Sequence, residues 1–480
     1  MSEVSATREV EKWGVFELAL THAPSGNPYA DVQFGACFAH EHRTVSVAGF
    51  YDGGDTFRVR FMPDAVGKWC YETHSSQSEL DGTSGTFRCT EPRERNHGPV
   101  LVDGRHFVYA DGVRYYPFGT TCYAWTHQAD DLQERTLSTL RGAAFNKLRM
   151  CVFPKDYRYC RNDPARHPFL KKDSGEWDFT RFNPDFFRHL DGRIRHLMAL
   201  GVEADLIIFH PYDRWGYADM GAEADDRYVR YLTARLAAYR NVWWSMANEY
   251  DLVRSKTMAD WDRLFRVLQA CDPYRRLCSV HNCREFYDHT KPWITHASIQ
   301  SSDLGHVREW REAYRKPVVV DECRYEGDVE YGWGNITAQE LVHRFWLGVL
   351  GGGYVGHGET YRHAEDVLWW SKGGVLHGNS PARIAFLRTL VESGPAEGLE
   401  PADWRRPVLG AGKGDAYYLF YFGGCQPGEC TFEPPSDTRY RADVIDTWEM
   451  TISPVEGVFS GRFTLGQPAR PYMAVRLQKV

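Results

Sequence analysis

Between residues 13 and 92, apolar and polar residues alternate in short runs that are separated by turn residues. The stretch FRVRFMPDAVGKWCYETH shows this pattern clearly, because Phe57, Val59 and Phe61 share one face and DAVG supplies the turn of a hairpin. Strands at this spacing, with no helical period between them, predict a β-sandwich of the immunoglobulin-like type over residues 1–92.

After the polar stretch EPRERNHGP, short apolar runs alternate with amphipathic stretches of helical period. Eight apolar runs can be counted, near Tyr116, Leu148, Leu206, Trp244, Ser279, Ala297, Val319 and Val355. Apolar strands that alternate with helices indicate a parallel sheet, and eight of them predict a (β/α)8 TIM barrel over residues 93–396. The alternative is a doubly wound sheet, but GTTCYAW after the first run lacks a glycine-rich phosphate loop.

The alternation with helices ends near residue 397, and strand patterns return. They include VLGAGKGDAYYLFYFG, YRADVIDTWEM and PYMAVRLQK, which predict a small C-terminal β-sandwich over residues 397–480. Internal repeats and low-complexity linkers are absent from the sequence, so both β-domains are expected to pack firmly on the barrel.

Two of the apolar runs end in adjacent polar residues. The run WWSMANEY ends in Asn248 and Glu249, and PVVVDECRYEG carries Asp321 and Glu322 after three valines. In a barrel of this type the carboxyl ends of all strands open onto one face. Glu249 and Glu322 are 73 residues apart in the sequence, slightly fewer than three average strand-helix units need, so the helix after the fifth strand should be short or absent.

The fourth and seventh strands lie on opposite sides of a barrel mouth, so both carboxylates could reach one substrate. A carboxyl pair about 5 to 5.5 Å apart is typical of retaining glycosidases. We therefore predict that Glu249 is the general acid and base and that Glu322 is the nucleophile, kept ionised by Arg149. Asp321 is the alternative nucleophile, but strand alternation directs it to the opposite side from Glu322.

Other polar and aromatic residues near the strand ends are predicted to bind the substrate: Trp125, Arg149, His210, Tyr212, Asn248, His281, Asn282, Gln300, Tyr325, His357, Glu359 and Trp369. Several of them also have a structural interpretation. Arg149 could form a salt bridge, His210 could be a core histidine, and Trp369 with Trp370 could pack in the core. Glu359 could bind sugar hydroxyls, pair with an arginine or be a further catalytic group.

The composition narrows the choice of ligand. Aromatic residues make up 14% of the chain, and their rings are suited to stacking against sugars. The net charge of −7 and the lack of a basic stripe argue against nucleic acid. The sequence contains no run of about 18 apolar residues, so no membrane span is predicted. The first residues lack an apolar signal core, and a cytoplasmic protein is therefore expected.

The 12 cysteines include no CxxC pair, and several fall within apolar runs, so we interpret them as reduced. His and Cys residues complete no metal-ligand cluster in the sequence, and neither a metal nor another cofactor is predicted. The expected partner is an oligosaccharide or glycoside substrate. The sequence leaves assembly into a homo-oligomer open.

MANEY and VVVDEC resemble the paired signature of clan A glycoside hydrolases, a group of retaining (β/α)8 enzymes. This resemblance implies that Glu249 is the acid and base and Glu322 the nucleophile. It also implies that Asn248 binds the sugar hydroxyl next to the reacting carbon and that Arg149 supports the nucleophile.

The layout of an N-terminal sandwich, a barrel that opens with YYPFGTTCYAW and a C-terminal β-domain is similar to that of the apiosidase-like glycoside hydrolases. The resemblance covers nearly the whole chain and implies glycosidase activity without fixing the sugar. The sequence departs from the clan pattern at the eighth strand. Many clan members have a tryptophan at the end of this strand, whereas this chain reads VGHGETY, with His357 and Glu359 as its polar residues. The sixth strand supplies Gln300 where Tyr or His is frequent.

The leading hypothesis is an exo-acting glycosidase for short oligosaccharides or glycosides. A noncatalytic carbohydrate-binding protein on the same barrel is the first alternative. A metal-dependent hydrolase that uses His210, His281 and His357 is the second, although these residues lack the tight spacing of metal ligands.

Overall fold

The computed structural model describes residues 8–330, 332–362, 368–403 and 408–480. Its central sheet has eight parallel strands: β1 (Phe118–Thr121), β2 (Lys147–Cys151), β3 (Glu203–Phe209), β4 (Val242–Ala247), β5 (Cys278–Ser279), β6 (Ala297–Gln300), β7 (Val318–Glu322) and β8 (Tyr354–His357). The strands are hydrogen-bonded in the order β5-β4-β3-β2-β1-β8-β7-β6. The predicted eight-stranded barrel is therefore confirmed.

Within the described residues, β5 and β6 are not joined by a strand ladder, so the barrel is nearly closed. Local hydrogen bonds connect the two instead. The Asn282 side chain donates to the Gln300 carbonyl at 3.2 Å and accepts from the Gln300 N–H at 3.1 Å. The Thr295 N–H donates to the carbonyl of Cys278 at 2.9 Å. Side-chain and loop bonds thus complete the wall beside the mouth.

The outside of the barrel is covered by α1 (Asp130–Gly142), α2 (Pro184–Leu200), α3 (Ala222–Leu236), α4 (Met258–Cys271), α5 (Val307–Tyr314), α6 (Ala338–Leu350) and α8 (Ser380–Glu392), and the short helix α7 (Trp369–Lys372) lies before α8. Helix α4 begins at a capping box formed by Thr257 and Asp260. Its buried residues recur at helical spacing and face the sheet: Trp261, Leu264, Phe265, Val267 and Leu268. Residues 280–296, between β5 and β6, contain no helix, as the sequence spacing predicts.

The N-terminal sandwich has two sheets, formed by Glu9–Glu11, Ser84–Thr90, Gly67–Ser75, Phe34–His40 and Arg43–Ala48, and by Phe16–Thr21, Thr56–Phe61 and Phe50–Tyr51. Buried ion pairs fasten it to the barrel. Arg60 donates to Asp191 of α2 at 2.8 Å, and Arg235 of α3 donates to Asp52 at 2.8 Å. These four charges lie away from solvent and satisfy one another.

At the C-terminal end, six strands form a sheet from Glu400–Ala402, Leu409–Lys413, Tyr417–Tyr421, Met473–Lys479, Tyr440–Asp446 and Thr451–Phe459, and Glu429–Phe432 pairs with Phe463–Gly466. Trp346 of α6 stacks on Tyr421 at a centroid distance of 4.9 Å, which joins this sheet to the barrel. The domain boundaries at residues 92 and 397 remain our proposal.

Shorter elements complete the chain: the sheet of Val100–Asp103, His106–Tyr109 and Arg114–Tyr115, the hairpin of Phe169–Lys171 and Trp177–Phe182, the parallel pair of Glu326–Gly327 and Glu359–Thr360, and the 3-10 turns Trp125–His127, Tyr217–Asp219, Tyr250–Leu252, Leu304–His306 and Gly332–Gly334. None of the helices in the described ranges has both the length and the apolar character needed to cross a bilayer.

Candidate active site

A pocket of about 330 Å³ lies at the carboxyl ends of the barrel strands. Both predicted catalytic carboxylates line it. The full lining consists of Tyr123, Lys155, Tyr157, Arg158, Tyr159, Tyr212, Asn248, Glu249, Gln300, Glu322, Trp333 and Trp370. Five of these residues were predicted as site residues, namely Tyr212, Asn248, Glu249, Gln300 and Glu322.

Glu249 reaches the pocket through an unusual backbone conformation. Strand β4 ends at Ala247, and Glu249 has φ 49° and ψ 54°, in the left-handed region that side chains other than glycine rarely adopt. Its Oε2 atom accepts hydrogen bonds from the Tyr212 hydroxyl at 2.5 Å and from the Asn248 amide at 3.1 Å. The backbone turn and the two donors together fix the direction of this carboxylate.

Asn248 is held from behind by two further donors. The Arg149 guanidinium donates to the Asn248 Oδ1 atom at 3.0 Å, and the Tyr123 hydroxyl donates to the same atom at 3.1 Å. A second Arg149 nitrogen donates to Ser245 at 3.0 Å. Arg149 was expected to support Glu322, but the described hydrogen bonds of its guanidinium go to Ser245 of β4 and to Asn248 just after it.

Glu322 lies in the opposite wall and is nearly buried, with 5% of its surface exposed. Burial raises the pKa of Glu322 to about 7, although Tyr325 and Trp333 beside it favour the charged form. The Tyr325 hydroxyl and the Trp333 indole nitrogen make no hydrogen bond of ordinary geometry in the described structure. His281 lies behind the carboxylate, with its Nε2 atom 4.0 Å from the Glu322 Oε1 atom.

Asp321 points away from the pocket. Its carboxylate accepts a hydrogen bond from Lys147 at 2.7 Å and one from the Ser298 hydroxyl at 2.5 Å. Burial alone would raise the pKa of Asp321, but the charges of Lys147 and Arg149 together with the hydrogen bonds from Lys147 and Ser298 hold the pKa well below its usual range. Asp321 is thus part of a buried ion pair, which fits the alternation expected along β7.

The sequence analysis overlooked Lys155, which is 3% exposed and lines the pocket. Its ammonium group lies 3.5 Å from the ring centroid of Tyr123 and 4.3 Å from that of Tyr212. Burial lowers the pKa of Lys155 to about 8. The residue occupies the loop VFPKDYRY after β2, and no motif there distinguishes a pocket lysine from a solvated one.

Two predicted tryptophans lie in the core instead of the pocket. The indole of Trp125 donates to the sulfur of Met150 at 3.3 Å, and the indole of Trp369 donates to the Thr120 hydroxyl at 2.8 Å. The next residue, Trp370, lines the pocket. The pair Trp369–Trp370 begins the short helix α7, so consecutive side chains face different directions and sequence could not rank them.

The remaining predicted residues do not line the pocket: His210, His281, Asn282, Tyr325, His357 and Glu359. His210 contacts the Phe153 carbonyl through its Nε2 atom at 3.2 Å. The carboxylate of Glu359 accepts backbone hydrogen bonds from His377 and Gly378. Among the described residues, His210 and His281 join no potential metal cluster with His357, which contradicts the hypothesis of a three-histidine hydrolase.

The barrel is nearly closed, and Glu249 just after β4 and Glu322 at the end of β7 line one pocket, which is the layout expected from the resemblance to clan A glycoside hydrolases. Residues 102–419 match the family described as Apiosidase-like, catalytic domain, and the chain belongs to this family. Residues 9–76 match a domain of unknown function called DUF5060, and residues 404–478 match another called DUF5605.

Solved structures agree with this assignment. A protein from Bacteroides vulgatus ATCC 8482, provisionally assigned as a glycoside hydrolase, is 42% identical, with a TM-score of 0.94 over 99% of this chain and 100% of that chain. A family 5 glycoside hydrolase from the same organism is 15% identical, with a TM-score of 0.63 over 80% of this chain and 94% of that chain, and it shares the fold. None of the curated proteins matches the chain.

Proposed function

We propose that this protein is a retaining glycoside hydrolase that acts from the chain end on short oligosaccharides or glycosides. The observation that carries the proposal is the pair Glu249, just after β4, and Glu322, at the end of β7, which line one pocket. Two carboxylates at one glycosidic bond are the minimum that the double-displacement reaction needs.

In the proposed reaction, the Glu322 carboxylate attacks the anomeric carbon while Glu249 donates a proton to the leaving oxygen. The glycosidic bond breaks and a glycosyl ester forms on Glu322. Glu249, now ionised, then takes a proton from a water molecule that attacks the same carbon, which releases the sugar and restores both groups. The Tyr212 hydroxyl and the Asn248 amide orient Glu249 during both steps.

The size and lining of the pocket support a short substrate. Its volume of about 330 Å³ is near the lower end of the roughly 300 to 1,000 Å³ found for small-molecule sites. Trp370, Trp333 and the tyrosines offer aromatic faces for sugar rings, and Lys155 and Gln300 offer polar contacts. A cytoplasmic location is also part of the proposal, because all 12 cysteines are free.

A panel of nitrophenyl glycosides tests the activity, with Glu249→Ala and Glu322→Ala as the inactive variants. Glu203→Gln is the matched control, because Glu203 is a buried glutamate at the opposite end of β3, bonded to the Trp243 indole at 3.0 Å. We expect hydrolysis of at least one glycoside by the wild type and the control, with a loss of about 10²–10⁴-fold in kcat for Glu249→Ala.

A noncatalytic carbohydrate-binding protein predicts a different outcome. Under that alternative, Glu249→Gln would leave sugar binding and any residual hydrolysis unchanged. Equal rates for wild type, Glu249→Ala and Glu322→Ala would therefore contradict the proposed function.

A further inference from the structure

Three buried side chains meet beside the active site, where the chain extends beyond β7 and β8. The short strands Glu326–Gly327 and Glu359–Thr360 run parallel, and Glu326 pairs directly with Glu359 in their register. His357 is the last residue of β8 and lies two residues before Glu359 in the chain. Each of the three offers one ligand atom, and these atoms lie within 4.8 Å of one another. We call these residues the Glu-His-Glu cluster.

Both carboxylates of the cluster are held by the loop that leads into α8. Backbone N–H groups of His377 and Gly378 donate to Glu359 at 2.5 and 2.7 Å. Those of Asn379 and Ser380 donate to Glu326 at 2.8 and 3.1 Å. The Tyr361 hydroxyl also donates to the Glu326 Oε1 atom at 3.0 Å. Each carboxylate oxygen can accept more than one bond, so these contacts fix both groups and leave a further lone pair on each Oε2 atom.

The loop comes close to the carboxylates because residue 378 is a glycine. A Cβ atom on Gly378 would lie 2.5 Å from the Glu326 Oε2 atom and 2.6 Å from the Glu359 Oε2 atom. The two oxygens therefore converge on one small region. This convergence of like charges needs a compensating cation or proton.

His357 supplies the observation that points to a ligand. Its side chain is fully buried, and its Nδ1 atom is 2.9 Å from the Thr120 hydroxyl. Its Nε2 atom has no hydrogen-bond partner within the described residues. A fixed imidazole with one bonded nitrogen and one unpartnered nitrogen is the arrangement found in metal-ligating histidines.

We propose that Glu326, His357 and Glu359 bind one divalent cation of the zinc or manganese class. Two carboxylates neutralise the charge of a dication, and an imidazole nitrogen favours these metals over calcium, which prefers oxygen ligands alone.

The role of this ion is structural. None of the three residues lines the active-site pocket. The ion would join the strand extensions after β7 and β8, and through their carboxylates the loop 377–380, which begins α8. The inference is independent of the proposed glycosidase activity, because it concerns metal binding alone.

Titration of chelator-treated protein with Mn²⁺, followed by electron paramagnetic resonance of the free ion, tests the proposal. Manganese binds weakly to thiols, so the 12 free cysteines do not compete. We expect one Mn²⁺ per chain and a higher melting temperature with the ion. In Glu359→Gln and His357→Gln the affinity should fall by more than about tenfold.

His289→Gln is the matched control, because His289 is fully buried with both ring nitrogens unpartnered in the described structure, and it belongs to no cluster of potential ligands. It should bind Mn²⁺ like the wild type. Circular dichroism verifies that each variant is folded, and an anomalous diffraction peak between the three side chains would locate the ion. Failure of the wild type to bind stoichiometric Mn²⁺ or Zn²⁺, or a peak elsewhere, overturns the proposal.

Discussion

Asp321 and Glu322 are consecutive residues of β7, yet one closes a buried ion pair with Lys147 and the other lines the pocket opposite Glu249. The separation follows from the alternation of side chains along a strand. Asp321 therefore contributes to stability and Glu322 to the proposed chemistry, although the two side chains are chemically almost alike.

Asp321→Asn should therefore lower the free energy of unfolding while the pocket changes little. Removing one partner leaves the Lys147 ammonium, which is 1% exposed, with Asp205 as its remaining carboxylate at 2.6 Å. Breaking a buried pair typically costs about 3–5 kcal/mol, and we expect the lower end here. Urea unfolding measures the effect. Glu322→Gln is the comparison, and an equal loss of stability in both variants would contradict the division of roles.

The activity should depend on the ionisation of Glu322. Burial raises its pKa to about 7, and only the carboxylate can attack a sugar carbon. The ratio kcat/KM should accordingly fall about tenfold per unit as the pH drops below 7. A profile that stays flat between pH 5 and 7 would show that Glu322 is not the group whose ionisation limits the reaction.

The same raised pKa predicts a dependence of stability on pH. A carboxyl group whose folded pKa exceeds its unfolded value contributes stability at low pH that is lost as the pH rises through the folded pKa. Relative to Glu322→Gln, the wild type should thus lose about 3 kcal/mol between roughly pH 4.5 and 7. Urea unfolding of both proteins at a series of pH values gives this difference, and parallel curves would refute it.

Tyr212→Phe should reduce turnover while the fold remains intact. The Tyr212 hydroxyl donates to Glu249 at 2.5 Å, and a hydrogen bond to a charged group contributes about 1.5–3 kcal/mol. If that bond is needed in the transition state, kcat should fall by about 10- to 100-fold. Tyr217→Phe is the control, since that hydroxyl contacts His167 at 3.0 Å outside the pocket. Similar rates for both variants would remove Tyr212 from the mechanism.

The backbone of Glu249 allows a test that separates strain from chemistry. Glu249→Ala and Glu249→Gly both remove the carboxylate, but only glycine adopts φ 49° without cost. We expect the glycine variant to be more stable than the alanine variant by about 1 kcal/mol, and both to be inactive. Thermal unfolding decides this, and greater stability of the alanine variant would show that the position is not strained.

The architecture could be predicted from the sequence because the hydrophobic periodicity and the spacing of the apolar runs indicated the same fold. The apolar runs from Leu148 to Val355 became parallel barrel strands, and the short spacing after Ser279 left no helix there. Hydrophobic periodicity reports burial directly, and burial determines the layers of this fold.

Only part of the site could be predicted, because the sequence pattern indicates where side chains point at strand ends but not in loops. Glu249 and Glu322 lie at the carboxyl ends of apolar strands, so their position implied their direction. Lys155 and Trp333 reach the pocket from loops, where no periodicity specifies which way a side chain points. Trp125 was expected at the pocket, but its ring lies in the core because the chain turns after β1.

The most direct test of a double displacement is the configuration of the sugar at the moment of release. Proton NMR spectra recorded in the first minutes of hydrolysis of an accepted nitrophenyl glycoside identify the anomer that forms before mutarotation. Attack by Glu322 and then by water predicts a first product with the anomeric configuration of the substrate. A first product with the opposite configuration would contradict a glycosyl ester on Glu322.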